Sequence, residues 1–163
     1  MPTKRRNEIF LFFAVIVAVN LAAGFSEGLF SNYFKEVYFT DASQRGLIEL
    51  PREMPGVLTF LIISALTFLG DITIAIMAQG IAAFGLMVLG LVTPTFGVML
   101  VFLFINSLGV HLYMPLRDSI GMSLSEPDQV GKRMGQFGGI SYAVLMVAGL
   151  TVFFLFRFEV FSL

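Results

Sequence analysis

The sequence predicts an all-α fold: a polytopic transmembrane helix bundle with five membrane spans. Three observations carry that expectation. The chain is 57% hydrophobic with a mean hydropathy of +0.89. Only 13% of its residues are charged. Long charge-free runs alternate with short polar breaks. A soluble domain carries about 45–50% apolar and about 25% charged residues. A chain of 163 residues has too small an interior to hide the excess, so lipid must solvate much of it.

A helix rises about 1.5 Å per residue, so a hydrocarbon core about 30 Å thick takes about 20 apolar residues. Residues 9–26 are free of charge and place the first span at 9–30. A second charge-free run covers 54–70 and anchors a span ending near Leu69. Residues 72–116 then run without a formal charge, too long for one crossing, and "TPT" at 93–95 divides them. Pro94 has no backbone donor and biases Thr93 away from the helical region. Two spans follow, 72–92 and 96–116, and a fifth covers 134–156. The chain reads as one helical domain over 1–163.

The opening "KRRNEIFLFF" has the basic-then-apolar start of a secretory leader. No small-x-small cleavage site follows and four more spans do, so it reads as an uncleaved first helix. Lys4, Arg5 and Arg6 hold the N-terminus in the cytoplasm of a bacterial-type membrane. Alternation then puts Arg117, Lys132 and Arg133 inside, and Lys35, Arg45, Arg52 and Arg157 outside. The inner stretch 117–133 reads as a soluble connector whose Lys132–Arg133 end meets anionic lipid headgroups.

Composition also removes chemistry. There is no cysteine, hence no disulfide framework and no thiolate metal site. A single histidine, His111, argues against an all-protein zinc centre. A net charge of −1 argues against a nucleic-acid partner. No cofactor or metal is expected, and no enzymatic activity. The one hydrolase candidate is Ser141 after Gly139, served by His111, but Tyr142 stands where a nucleophile elbow needs glycine.

Polar residues inside apolar runs are either interhelical glue or the lining of a pathway. Counting from the charge-free edges, Asn20 lies ~17 Å deep, Asn106 and Ser107 ~15 Å, and Ser141 ~11 Å. The same count puts His111 ~22 Å from the outer edge, in the inner third. Gly24 with Gly28, and Gly135 with Gly139, form small-xxx-small pairs suited to close helix approach.

The stretch "RGLIELPREMPG", 45–56, admits two readings. In one, the second helix starts at Pro51, with Glu53 in the first turn where the dipole favours an acid. In the other, "DASQ" at 41–44 is a capping box and the span covers 43–69, with Pro51 and Pro55 inside it. Arg45, Glu49 and Arg52 then share one face. Arg52 would lie ~25 Å from the cytoplasmic end and Glu27 ~27 Å on the first span, a matched depth for pairing. Glu49 and Glu53 compete for the same arginine.

The order of features resembles the N-terminal half of a major facilitator superfamily transporter. The residues that carry the likeness are the basic N-terminus, "AAGFSEGLF", "QRGLIELPREMPG", and "LTFLGD" at 66–71 as a tight cytoplasmic turn. Of the family's Gly-x-x-x-Asp-Arg signature only Asp71 is present, with Gly70 beside it; Thr67 stands where the leading glycine would be, and the arginines are absent. The resemblance implies alternating access, with the first and fourth spans lining a cavity. Asn20, Glu27, Asn106 and His111 are then cavity candidates beside Arg45, Glu49, Arg52 and Glu53. It implies secondary transport of a small solute, with proton coupling resting on Glu27 and His111. Five spans are fewer than half the family's twelve, so a C-terminal half or a homo-oligomer is the expected partner, alongside membrane lipid. The other function class left open is a non-transporting membrane subunit or a fragment without activity of its own.

Overall fold

The computed structural model describes residues 3–158, with side chains from residue 5 onward; Lys4 of the basic cluster lies outside the described side chains. The described residues form helices and turns, with no strand among them. In chain order the helices are α1 (Thr3–Tyr38), α2 (Ala42–Leu66, continued by a 3-10 turn Thr67–Leu69), α3 (Asp71–Val92), α4 (Phe96–Ser123) and α5 (Val130–Arg157). All five are long and apolar enough to cross a membrane. The chain is an integral membrane protein of all-α type. Large apolar side chains such as Phe10, Val57, Leu61 and Phe84 stand more than half exposed on these helices, the arrangement that lipid solvation permits and water does not.

Helix ends follow local chemistry. Asp41 caps α2: its Oδ1 accepts from the Gln44 N–H at 2.7 Å, and the Gln44 side chain accepts from the Asp41 N–H at 3.1 Å. The capping box therefore settles the two readings of residues 45–56. α2 begins at Ala42, and Pro51 and Pro55 lie inside it; the helix start at Pro51 is not adopted. Thr93 takes a left-handed conformation (φ 46°, ψ 66°) before Pro94 and separates α3 from α4. Gly70, at φ 74° and ψ 151°, turns the chain sharply between the 3-10 turn and α3. A side chain there would meet its own backbone, so glycine is required.

Three helices outrun their expected spans. α1 extends beyond 9–30 at both ends, and only Phe39 (φ 51°) stops it. Thr40 closes that end, its N–H and its hydroxyl both donating to the Phe34 carbonyl. α4 continues two turns past Leu116 to Ser123, and α5 starts at Val130. The connector expected over 117–133 is therefore mostly helix, with residues 124–129 as its turn. Charge marks where lipid ends; it does not stop backbone hydrogen bonding, so helices run on into water.

The chain forms two compact units. One comprises α1, through Thr40, and α5 with its approach from Gly121; the other runs Asp41–Ile120. In the first unit α1 and α5 lie against each other along their length. Phe12 and Phe13 pack on Phe137, with ring centroids 5.0 and 4.8 Å apart. Further along, Gly24 and Gly28 meet Ala148 and Val152 of α5. Gly135 and Gly139 have no such neighbour, so only the first of the two small-residue pairs is used. Arg5 donates to the carbonyls of Leu124 (3.3 Å) and Ser125 (2.6 Å), which ties the start of α1 to the turn before α5. In the second unit, Gly109 of α4 lies against the α3 backbone at Ala78 and Ala82, and Gly85 of α3 against Asn106. Ile48, Ile74, Leu89, Met99 and Leu103 are fully buried within these helices.

Candidate functional site

The second unit concentrates ionisable groups where α2 meets α4. Pro55 has no N–H to offer the Pro51 carbonyl, and its ring presses against that carbonyl. The backbone of this turn is loosened, and membrane helices repair such turns with hydroxyls from neighbouring helices. Ser107 of α4 reaches the adjacent position, its Oγ donating to the Arg52 carbonyl, next to the Pro51 carbonyl that Pro55 leaves without its helical donor. Two turns of α2 thereby acquire a polar attachment to α4 instead of a purely apolar one.

His111 lies one helical turn beyond Ser107. Its Nδ1 stands 3.0 Å from both the Ser107 Oγ and the Ser107 carbonyl oxygen. Its other nitrogen, Nε2, is 3.9 Å from the Glu53 carboxylate on α2. The imidazole also lies over Gly56: a Cβ there would sit 3.0 Å from its Cδ2 and 3.3 Å from Nε2. Arg52 pairs with Glu49 at 3.1 Å across i,i+3, the shared face expected from their spacing. Arg45 is exposed one turn before Glu49. The chemistry-bearing set on this face is Glu49, Arg52, Glu53, Ser107 and His111.

Gly56 lies ~20 Å and Glu53 ~24 Å up α2 from Leu69 at 1.5 Å per residue. His111 touches both, and it stands ~18 Å above Ser123, where α4 ends. The count from Phe96 at the outer end of α4 is unchanged by the longer inner end, ~22 Å to His111.

The remaining candidates fall elsewhere. Asn20 is buried between α1 and α5, its amide donating to the Ile16 carbonyl (2.8 Å) and to the Ser141 Oγ (3.3 Å). Ser141 in turn donates to the Phe137 carbonyl at 3.0 Å. Both therefore hydrogen-bond between helices of the first unit. Asn106 does the same in the second, donating to the Ala82 carbonyl of α3 at 2.8 Å. Glu27 is exposed on α1, in the first unit, whereas Arg52 belongs to the second. Asp71, at the start of α3, accepts from the Ser119 hydroxyl of α4, and Arg117 pairs with Asp118 beside it at 2.8 Å. The tight turn at Gly70–Asp71 is thus fastened to the extension of α4.

Ser107, outside the pathway candidates read from the sequence, joins this set through the Arg52 carbonyl and His111. Its signal was present: Ser107 and His111 are spaced i,i+4, which puts them on one face, and two prolines in α2 create a need for a hydroxyl donor. Comparison of the chain with protein-family models, with curated proteins and with solved structures found no match.

Proposed function

We propose that this chain is part of a secondary transporter that moves a small solute across a bacterial-type cytoplasmic membrane by alternating access, coupled to protons. The observation that carries the reading is the cluster of Glu49, Arg52, Glu53, Ser107 and His111 where α2 meets α4, two helices apolar enough to cross a membrane. Ionisable groups in a membrane span are costly, and they are kept where they face a cavity or a pathway. A subunit serving only as a scaffold would gain nothing from them. The order of the helices and the tight Gly70–Asp71 turn support a likeness to the N-terminal half of a major facilitator superfamily transporter.

Orientation follows the basic residues. The Arg5 contacts to Leu124 and Ser125 bring the basic start of α1 to the turn flanked by Arg117, Lys132 and Arg133. An excess of lysine and arginine on one face marks the cytoplasmic side, so we place the N-terminus and this turn in the cytoplasm. Alternating access needs two bundles that rock about a shared site. The working object therefore combines these helices with further spans, supplied by a C-terminal half or by a second copy.

The test is solute uptake into proteoliposomes by the protein expressed from its natural reading frame, with a panel of small solutes and an imposed pH gradient. Gradient-driven uptake that is abolished by Arg52→Ala supports the reading. Uptake indifferent to the pH gradient refutes proton coupling. No uptake of any solute favours the non-transporting subunit.

A further inference from the structure

We propose that Glu53 and His111 form one proton-binding site, with Ser107 fixing which imidazole nitrogen is free to take the proton. A serine hydroxyl has one hydrogen to donate, and a backbone carbonyl can only accept. The Ser107 hydrogen goes to the Arg52 carbonyl, so the Ser107 Oγ can serve His111 Nδ1 only as an acceptor. The Ser107 carbonyl, also 3.0 Å from Nδ1, accepts as well. Nδ1 therefore carries a hydrogen in every protonation state, and the neutral ring leaves its lone pair on Nε2.

That lone pair faces the Glu53 carboxylate at 3.9 Å. Two acceptors directed at each other repel, and a single proton on Nε2 turns the contact into an imidazolium–carboxylate pair. Binding adds one proton and one positive charge; release returns the proton to water and leaves the pair at a net charge of −1. The other charged groups of this unit are Asp41, which caps α2, Glu49 and Arg52 on α2, which pair with each other, Arg45 one turn further out, Asp71 at the start of α3, and Arg117 with Asp118 on α4. The three at the Asp71 end are engaged there, one and a half turns or more from His111. Gly56 gives the ring its room, since any side chain there would meet Cδ2 and Nε2.

The site also has a mechanical connection. The hydroxyl that fixes the ring is the one that attaches α4 to the proline-loosened turn of α2, so a change in the ring's charge acts on a backbone already weakened at Pro51 and Pro55. This coupling role rests on the transport reading; the proton site itself does not.

The chain has a single histidine, so ¹⁵N-histidine labelling reports His111 without assignment. The expected spectrum at alkaline pH is the Nδ1–H tautomer, with Nε2 gaining its hydrogen on acidification. In E53Q the protonated ring loses its carboxylate partner, so the Nε2–H resonance of the acid form moves while the Nδ1–H resonance stays. An Nε2–H tautomer at alkaline pH overturns the proposal, as does an acid-form Nε2–H resonance in E53Q superimposable on the wild type. E53A gives a second charge-removing variant should E53Q not fold, and the wild-type tautomer needs neither. An Nε2–H tautomer in a protein that transports sinks the site alone, whereas the expected spectrum in a protein that moves no solute sinks the transport reading alone.

Discussion

Replacing Gly24 by alanine tests how α1 and α5 are joined. A Cβ at this position would lie 2.6 Å from the Ala148 Cβ and 3.4 Å from the Leu145 carbonyl oxygen. Carbon atoms in contact prefer about 3.5–4.0 Å, so the helices must part by ~1 Å, and no flexible side-chain end is available to yield. Overpacking of this kind costs about 1–3 kcal/mol. Gly139→Ala is the control, because it brings the same gain in helix propensity to α5 at a position with no neighbour within 4 Å. Reversible unfolding in mixed detergent micelles, followed by circular dichroism, gives the comparison. Gly24→Ala should fall about 1–3 kcal/mol below Gly139→Ala, and Ala148→Gly in the same chain should restore much of the loss. Equal stability of the two alanine variants would refute the close α1–α5 approach.

Two other substitutions bear on single features. Asp41→Ala removes the capping box of α2 and should lower stability by about 1 kcal/mol in the same unfolding assay; Asp41→Asn, which keeps an acceptor, should lose less. Tyr113 is buried, and its hydroxyl has no hydrogen-bond partner among the described residues. Tyr113→Phe should therefore be neutral or stabilising, since it removes a buried polar group that nothing satisfies; a loss above about 1 kcal/mol would reveal a partner.

Much of this fold was legible because the membrane simplifies the code. Five apolar runs, the break at Thr93–Pro94, the capping box at Asp41 and the tight turn at Gly70 each rest on local chemistry, and each appears where the residues put it. Helix lengths were less legible. Arg117 and Asp118 look like an end because lipid rejects charge, yet the backbone of α4 continues through them to Ser123. The meeting of His111 with Glu53 is a contact between helices, which span lengths do not give. The site was half legible. Glu49, Arg52 and Glu53 are conspicuous as charges near lipid, and the i,i+3 pairing of the first two follows from spacing alone. Which helix they face is a tertiary fact. Asn20 and Asn106 had the same signature of a polar side chain at depth, but both are taken up by carbonyls and a hydroxyl at helix contacts. Depth alone does not separate glue from lining; the partner atoms do.

The central claim is that the charged face of α2 borders water inside the membrane. The chain has no cysteine, so a single introduced thiol is the only one a reagent can find. Glu53 and Met54 are neighbours at the same depth, about 100° apart around the helix. Both are more than half exposed in the isolated chain, 70% for the Glu53 side chain and 52% for Met54, so access by size alone does not separate them. Labelling of Glu53→Cys and Met54→Cys in native membranes with a membrane-impermeant thiol reagent does. Modification of the cysteine at 53 with the one at 54 silent is the predicted result; modification of both, or of neither, would contradict an aqueous pathway along this face.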